Sequence, residues 1–484
     1  MNLIKKNLIY NIFYQILIII IPLITTPYVS RILGADGVGR YSYAYSIAYY
    51  FVTVAMLGVN NYGNRTIAAI SDDRKKRSKV FWSIYCFQLF VALIVVFSYI
   101  FYVMFISLDK KISWIMLTYV LSALLDINWF FFGMEKFKVT VARNSAVKLL
   151  TVLCIFAFVR DSRDIYIYAF VSVAGMFLAQ TILWIMLWKY VSPVKIVLSD
   201  VIPHIKPNLL LFIPTIAISL YKFMDKIMLG IMSTNSEVGY FESCEKILQI
   251  PIALITALGT VMLPRVSNML ANNQEKESLQ YLRKSLIFTI FIVSPMSFGI
   301  MAVAREFVPI FYGVGYDRCV EIFQVIMPSC IFLAFANVIR TQYLMPHKKD
   351  RLYTMSVFAG AAVNIVVNFV LIPHYQSVGA AVATLAAEAT VCFVQCWGIR
   401  KEINTLKYAI YAMPFLFASI VMYVVLGKMQ LDMNSNLIAL AVKILMGLFI
   451  YTVISGIIIL IAARMDLIEI KNTKADYEQS MTDG

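Results

Sequence analysis

The chain is a succession of apolar runs, each about twenty residues long, separated by short polar breaks from Leu8 to Ala462. Runs of that length suit helices crossing about 30 Å of hydrocarbon. They are continuous, not the ten-residue alternating segments of a membrane barrel. In hydrocarbon every backbone N–H and C=O must be paired within the structure, so helices are the solution that remains. The pattern predicts fourteen spans: residues 8–31, 40–62, 80–106, 113–134, 146–160, 165–188, 208–231, 238–262, 285–304, 319–343, 353–373, 377–399, 408–427 and 437–462. The first run, Leu8 to Ser30, is longer than the apolar part of a secretory signal and predicts a retained helix.

Composition narrows the class further. Of 484 residues, 61% are hydrophobic and 14% charged, against about 25% charged in an ordinary soluble domain. The fold class expected is an all-α polytopic membrane protein, with no room for a sizeable soluble domain. The loops between spans are short, which argues against a membrane enzyme with catalytic residues on a large outer loop, such as a polysaccharide polymerase or ligase.

Lys and Arg set the orientation. With the N-terminus placed in the cytoplasm, 28 of the 42 fall in inside segments, 9 outside and 5 within spans. The inside set includes Lys5, Lys6, the cluster Arg74 to Lys79, Arg464, Lys471 and Lys474. A multi-pass protein of the cell membrane with both termini cytoplasmic is therefore expected. The net charge of +15 is mostly topology, with basic clusters beside anionic lipid. No nucleic-acid motif accompanies it.

Seven scattered cysteines and three dispersed histidines read as small buried hydrophobes and isolated side chains. Cys392 and Cys396 are one turn apart but have no His beside them. No metal site, catalytic residue or bound cofactor is expected.

Two segments match at an offset of two hundred residues. Val38-Gly39 followed by Tyr41 corresponds to Val238-Gly239 followed by Tyr240, Leu57-Gly58 lies one residue off Leu258-Gly259, and Arg65 matches Arg265. Such internal symmetry predicts two pseudo-symmetric six-helix lobes plus two C-terminal helices, with a site at the lobe interface. The boundaries are 1–190 for the N-terminal lobe, 191–207 for a cytoplasmic linker, 208–400 for the C-terminal lobe, 401–462 for helices 13 and 14, and 463–484 for a cytoplasmic tail.

Ionisable residues at membrane depth are costly and are functional by default. Asp126, Asp225, Glu242, Glu245 and Glu388 lie within spans, as do Lys222, Lys226, Lys246, Arg340 and Lys443. Lys222, Asp225 and Lys226 share a helix face at i, i+3 and i+4, and Glu242 and Lys246 do so on the next helix. The two clusters are expected to face each other or one cavity. Neutralising pairs that let helices pack are the alternative reading for each. Arginines near the mouths, among them Arg31 and Arg340, suit bidentate recognition of phosphate.

Three stretches carry a family resemblance. They are TPYVSRILGADGVGRYSYAY at Thr26 to Tyr45, DINWFFFGMEKFK at Asp126 to Lys138, and AVNIVVNFVLIPHYQSVGAAVATLAAE at Ala362 to Glu388, with MDKIMLG at Met224 to Gly230 and LPRVS at Leu263 to Ser267 between them. Together the chain resembles Wzx-type polysaccharide-transport flippases of the multidrug/oligosaccharidyl-lipid/polysaccharide exporter superfamily. The resemblance implies translocation of an undecaprenyl-pyrophosphate-linked oligosaccharide from the cytoplasmic to the outer leaflet by alternating access, for O-antigen, capsule or exopolysaccharide. It implies that lipid-linked glycan and membrane lipids are partners, with a polysaccharide polymerase and a chain-length regulator beyond them. The residues expected to meet substrate are Arg31, Lys222, Asp225, Lys226, Glu242, Lys246 and Arg340. Asp126 and Glu388 are the acids expected to couple transport to H+ or Na+. A cation-coupled multidrug antiporter or a lipid II flippase on the same fold is the nearest rival.

Overall fold

A computed structural model describes the backbone of residues 3–70, 72–429 and 435–482, with side chains placed from residue 17 to 461 apart from 18, 137, 214, 218 and 221. Lys5, Lys6, Arg464, Lys471 and Lys474 lie outside the described side chains. The described residues hold helices and no strand.

Two helices, Leu3–Met56 and Asp350–Ile399, are 54 and 50 residues long. At 1.5 Å per residue each is roughly 75–80 Å, more than twice the hydrocarbon thickness. Each is interrupted by one non-helical residue, Gly34 (φ 65°) and Gln376 (φ 54°). The first break needs the left-handed backbone that glycine adopts without steric cost. Read as two crossings each, they give fourteen helices: α1 (3–33), α2 (35–68, bent by 41° near Gly58), α3 (Arg74–Phe105), α4 (Lys110–Gly133), α5 (Phe137–Phe158), α6 (Ile165–Leu187), α7 (Leu198–Met232), α8 (Asn235–Ala271), α9 (Glu275–Phe311), α10 (Arg318–Leu344), α11 (350–375), α12 (377–399), α13 (Thr405–Lys428) and α14 (Asn436–Thr482). Helix starts are capped from the sequence: Asp73, Asp109, Thr234 and Asn404 each accept a first-turn backbone N–H.

The segment Arg31 to Arg40, expected as an outer loop, is a one-residue turn between continuous helices. At the bundle's end Arg40 pairs with Asp109 at 2.5 Å, and Asp36 is exposed. The ninth span also runs further than expected, to Phe311. We call the Gly34 and Gln376 side the turn end, and the side of Arg74 to Lys79 the basic end.

Each lobe has its own apolar core. In the first lobe Phe81, Trp129, Phe130 and Phe131 are fully buried together. Here α4 breaks through a 3-10 turn, Ala123–Leu125, which frees backbone carbonyls at membrane depth. The Gln88 amide donates to the Ala123 and Asp126 carbonyls at 2.9 and 2.8 Å and accepts from Trp129 Nε1 at 3.0 Å. The DINWFFFG stretch is therefore a packed plug that repairs a broken helix. Asp126 accepts from the Asn128 backbone and side chain, and Arg143 of α5 donates to Asn128 Oδ1 at 2.8 Å and to the Ala179 carbonyl at 2.7 Å.

The lobes meet along α2 and α8 in a reciprocal crossing. A methyl group at Gly39 would fall 1.7 Å from the Asn235 carbonyl oxygen, and one at Gly239 would fall 1.9 Å from the Ala35 carbonyl oxygen. Both pairs, 39 with 235 and 239 with 35, transform into each other under the offset of two hundred. The repeat is thus a pseudo-twofold axis passing between two glycines. Further cross-lobe contacts lie nearby at the turn end. Ser30 Oγ donates to the Tyr312 carbonyl at 3.0 Å, and Arg31 Nη2 to the Ile310 carbonyl at 2.5 Å. The turn end is closed.

Candidate functional site

Helix α7 is bent by 59° between Leu198–Ala217 and Lys222–Met232. The second piece carries Lys226 into the lobe interface, where its side chain is only 7% exposed. Its Nζ lies 2.9 Å from Glu242 Oε2 and 2.9 Å from Glu245 Oε2, both on α8. Glu242 also takes a hydrogen bond from Ser42 Oγ at 2.9 Å and lies 3.5 Å from Lys246 Nζ. Ser42 and Glu242 are again two hundred residues apart, so the cluster sits beside the pseudo-twofold axis. Two cations balance two carboxylates, which makes the burial tolerable in low dielectric.

The first lobe answers with aromatic rings in place of charge. Tyr45 stacks on Tyr119 at 5.2 Å, Tyr41 meets the edge of Tyr168 at 4.8 Å, and Tyr49 stacks on Phe223 of α7 at 4.1 Å. Lys226 Nζ stands 4.7 Å from the centre of the same Phe223 ring. These tyrosines are half-buried. Next to the cluster, α1 and α8 enclose a cavity of about 250 Å³, lined by Pro22, Leu23, Ile250 and Ala253 with Lys246 in its wall. Cation, aromatic wall and apolar groove therefore share one inter-lobe space.

Of the residues singled out from the sequence, Lys226, Glu242 and Lys246 are brought together, and the two charge clusters do meet. Asp225 is not with them. Successive helical residues point about 100° apart, and Asp225 turns into the second lobe. There it accepts hydrogen bonds from Asn364 at 2.8 Å, Asn368 at 2.5 Å and Thr384 Oγ1 at 2.8 Å. Lys222 is exposed beside the α7 bend, without an ion-pair partner among the described residues. Arg31 is exposed at the turn end, on the Pro27 and Ile310 carbonyls. Arg340 lies far along α10, in a π-helical turn, and donates to the Tyr353 hydroxyl at 3.2 Å. Asp126 belongs to the first-lobe plug. Glu388 is buried in α12, 6% exposed.

Sequence reasoning missed Asn364, Asn368 and Thr384 as site residues, and Ser42 as a member of the charge cluster. The signal for the asparagines was present: two amides four apart inside an apolar helix are expensive unless they serve a partner. Their partner on α7 is a matter of tertiary packing.

Fourteen spans in two lobes around a pseudo-twofold axis, with a polar site between them, define a two-lobe membrane transporter fold. A solved structure titled "Lipid II flippase MurJ, inward closed conformation" shares that fold with TM-score 0.75 at 15% identity, covering 96% of this chain and 100% of that one. An inward-facing multidrug resistance MATE family transporter shares it at TM-score 0.54 and 11% identity, over 80% and 99% of the two chains. A family model described as polysaccharide biosynthesis protein matches residues 4–270, more than half the chain, and the chain belongs to that family. A relative from Escherichia coli (strain K12), provisionally named an O-antigen transporter, is 26% identical over 403 residues, covering 82% of this chain and 97% of that one.

Proposed function

We propose that the protein is a flippase that moves an undecaprenyl-pyrophosphate-linked oligosaccharide from the cytoplasmic to the outer leaflet by alternating access. The observation that carries this reading is the coincidence of three chemistries in one inter-lobe space. A pyrophosphate needs cations, sugars stack on aromatic faces, and a polyprenyl chain needs an apolar groove that keeps it out of water. Lys246 is the cation best placed for the pyrophosphate, since one contact of 3.5 Å ties it to Glu242 while it lines the groove. Lys226, held by two carboxylates, organises the site. The tyrosine wall formed by Tyr41, Tyr45, Tyr119 and Tyr168 meets the sugars. The abundance of Lys and Arg at the basic end supports placing that end in the cytoplasm, so the closed turn end faces outward.

Coupling falls to Asp225. A carboxylate, two amides and a hydroxyl converge there in a buried pocket, an oxygen-rich donor set suited to a hard cation once the amides present their oxygens. Na+ fits that set better than a bare proton relay. The family's name and the balanced charge favour this reading over a cationic-drug pump, which would need unpaired acids between the lobes.

Deleting the gene in its own host tests the function. Loss of surface polysaccharide with accumulation of the lipid-linked oligosaccharide on the cytoplasmic leaflet is the expected result. Normal polymer with raised sensitivity to cationic drugs would overturn the proposal in favour of the efflux rival.

A further inference from the structure

We propose that the second lobe carries a cation path from Asp225 to the basic end, with Glu388 as its staging carboxylate. This rests on the reading of Asp225 as the coupling-cation site. Helices α11 and α12 form a hairpin whose polar residues fall on two matched stripes. On α11, Ser356, Gly360, Asn364 and Asn368 recur every four residues; on α12, Thr384, Glu388 and Gln395 follow at i, i+4 and i+11. Ser356, Asn364, Asn368, Glu388 and Gln395 are all buried. The stripes touch at both ends: Asp225 bridges Asn364, Asn368 and Thr384, and Gln395 Nε2 donates to Ser356 Oγ at 3.2 Å.

Glu388 lies between those ends, one helical turn or about 6 Å from Thr384 toward the basic end. Three acids are buried among the described residues: Asp225, Glu237 and Glu388. Asp225 has its three donors, and Glu237 accepts from the Ser377 backbone N–H at 3.1 Å and from its hydroxyl. Glu388 has neither hydrogen bond nor ion pair among the described residues. A charged carboxylate buried without a partner is costly, and either a proton or an arriving cation relieves the cost. The amide oxygens of Asn368 and Gln395, on either side of it along the hairpin, are also buried and unpartnered. Three unfilled oxygen donors therefore follow one another along one helix–helix interface, which is what a dehydrated alkali cation needs to move stepwise.

The path is pinched in this conformation. Between the levels of Glu388 and Gln395, a methyl group at Gly360 would fall 2.5 Å from Val391 Cγ2 and 3.2 Å from the Ala387 carbonyl oxygen. A cation leaving Asp225 waits at Glu388 until the hairpin loosens there. The titratable neighbours of Glu388 are Asp225, reached through Thr384, and the Cys392 thiol one turn further on its own helix. Amides that merely glue two membrane helices are the competing account, and they require no carboxylate.

The test uses the full-length protein in proteoliposomes with radioactive sodium as probe, comparing wild type with Asp225→Asn, Glu388→Gln and Glu388→Asp. Binding is expected to disappear in D225N. In E388Q the equilibrium affinity should stay within about threefold of wild type while exchange of bound sodium slows by roughly tenfold or more, because only the waiting site has lost its charge. E388D, which keeps that charge, should exchange within about threefold of wild type. If D225N fails to bind while E388Q exchanges at the wild-type rate, the path is wrong and the reading of Asp225 stands. If E388Q lowers only the melting temperature, the glue account replaces the path. Wild-type binding in D225N would overturn the Asp225 reading, and the path with it.

Discussion

Alanine at Gly39 should abolish most transport while leaving the protein in the membrane. The added methyl would meet the Asn235 carbonyl at 1.7 Å, a contact with backbone that no rotamer change relieves. The lobes must part at the turn end, and overpacking of this kind costs on the order of 1–3 kcal/mol. Charged against the closed state alone, that shifts a two-state population by a factor of about 5 to 150. Surface polysaccharide is therefore expected to fall by roughly tenfold in a G39A strain whose membrane level of the protein is unchanged. Because the crossing is reciprocal, Gly239→Ala should do the same damage. A full defect in one variant with none in the other would contradict the pseudo-twofold account of this seal.

Lys226→Met carries the second large effect. It leaves Glu242 and Glu245 facing each other at the lobe interface with Lys246 alone to balance them. Removing one partner of a buried ion pair typically costs about 3–5 kcal/mol. Loss of both transport and thermal stability is expected, the latter read as a lowered melting temperature of the purified protein. Adding Glu245→Gln should recover part of the stability by removing one uncompensated charge, and Lys226→Arg should retain most of it. If K226M alone keeps wild-type stability, Lys226 is not the organiser of the cluster.

Much of this architecture was legible in the sequence because the bilayer leaves few choices. Apolar runs of about twenty residues must be helices, and the match of Val38-Gly39 to Val238-Gly239 marked the internal repeat before any geometry. The turn at Gly34 was not legible. Arg31, Asp36 and Arg40 look like a polar loop, yet helix continues on both sides because these charges reach the bundle's end, with Arg40 on Asp109. The charge cluster was half legible. Spacing placed Lys226 opposite Glu242, but it grouped Asp225 with Lys226. Which helix each meets depends on the packing of α11 and α12 against α7, and no local spacing encodes that. The DINWFFFG stretch shows the reverse case: a motif that identifies the family holds a broken helix together and gives Asp126 a hydrogen-bonding role in that plug.

The central claim is translocation of a lipid-linked glycan through the inter-lobe space, and a reconstituted flipping assay reaches it most directly. Purified protein in vesicles would be given a fluorescent undecaprenyl-pyrophosphate oligosaccharide, with a membrane-impermeant quencher reporting the leaflet. Flipping that depends on a sodium gradient and is lost in Lys246→Ala is the result predicted here. Wild-type rates in that variant, or no flipping by the wild-type protein of any glycan made in its host, would contradict the account.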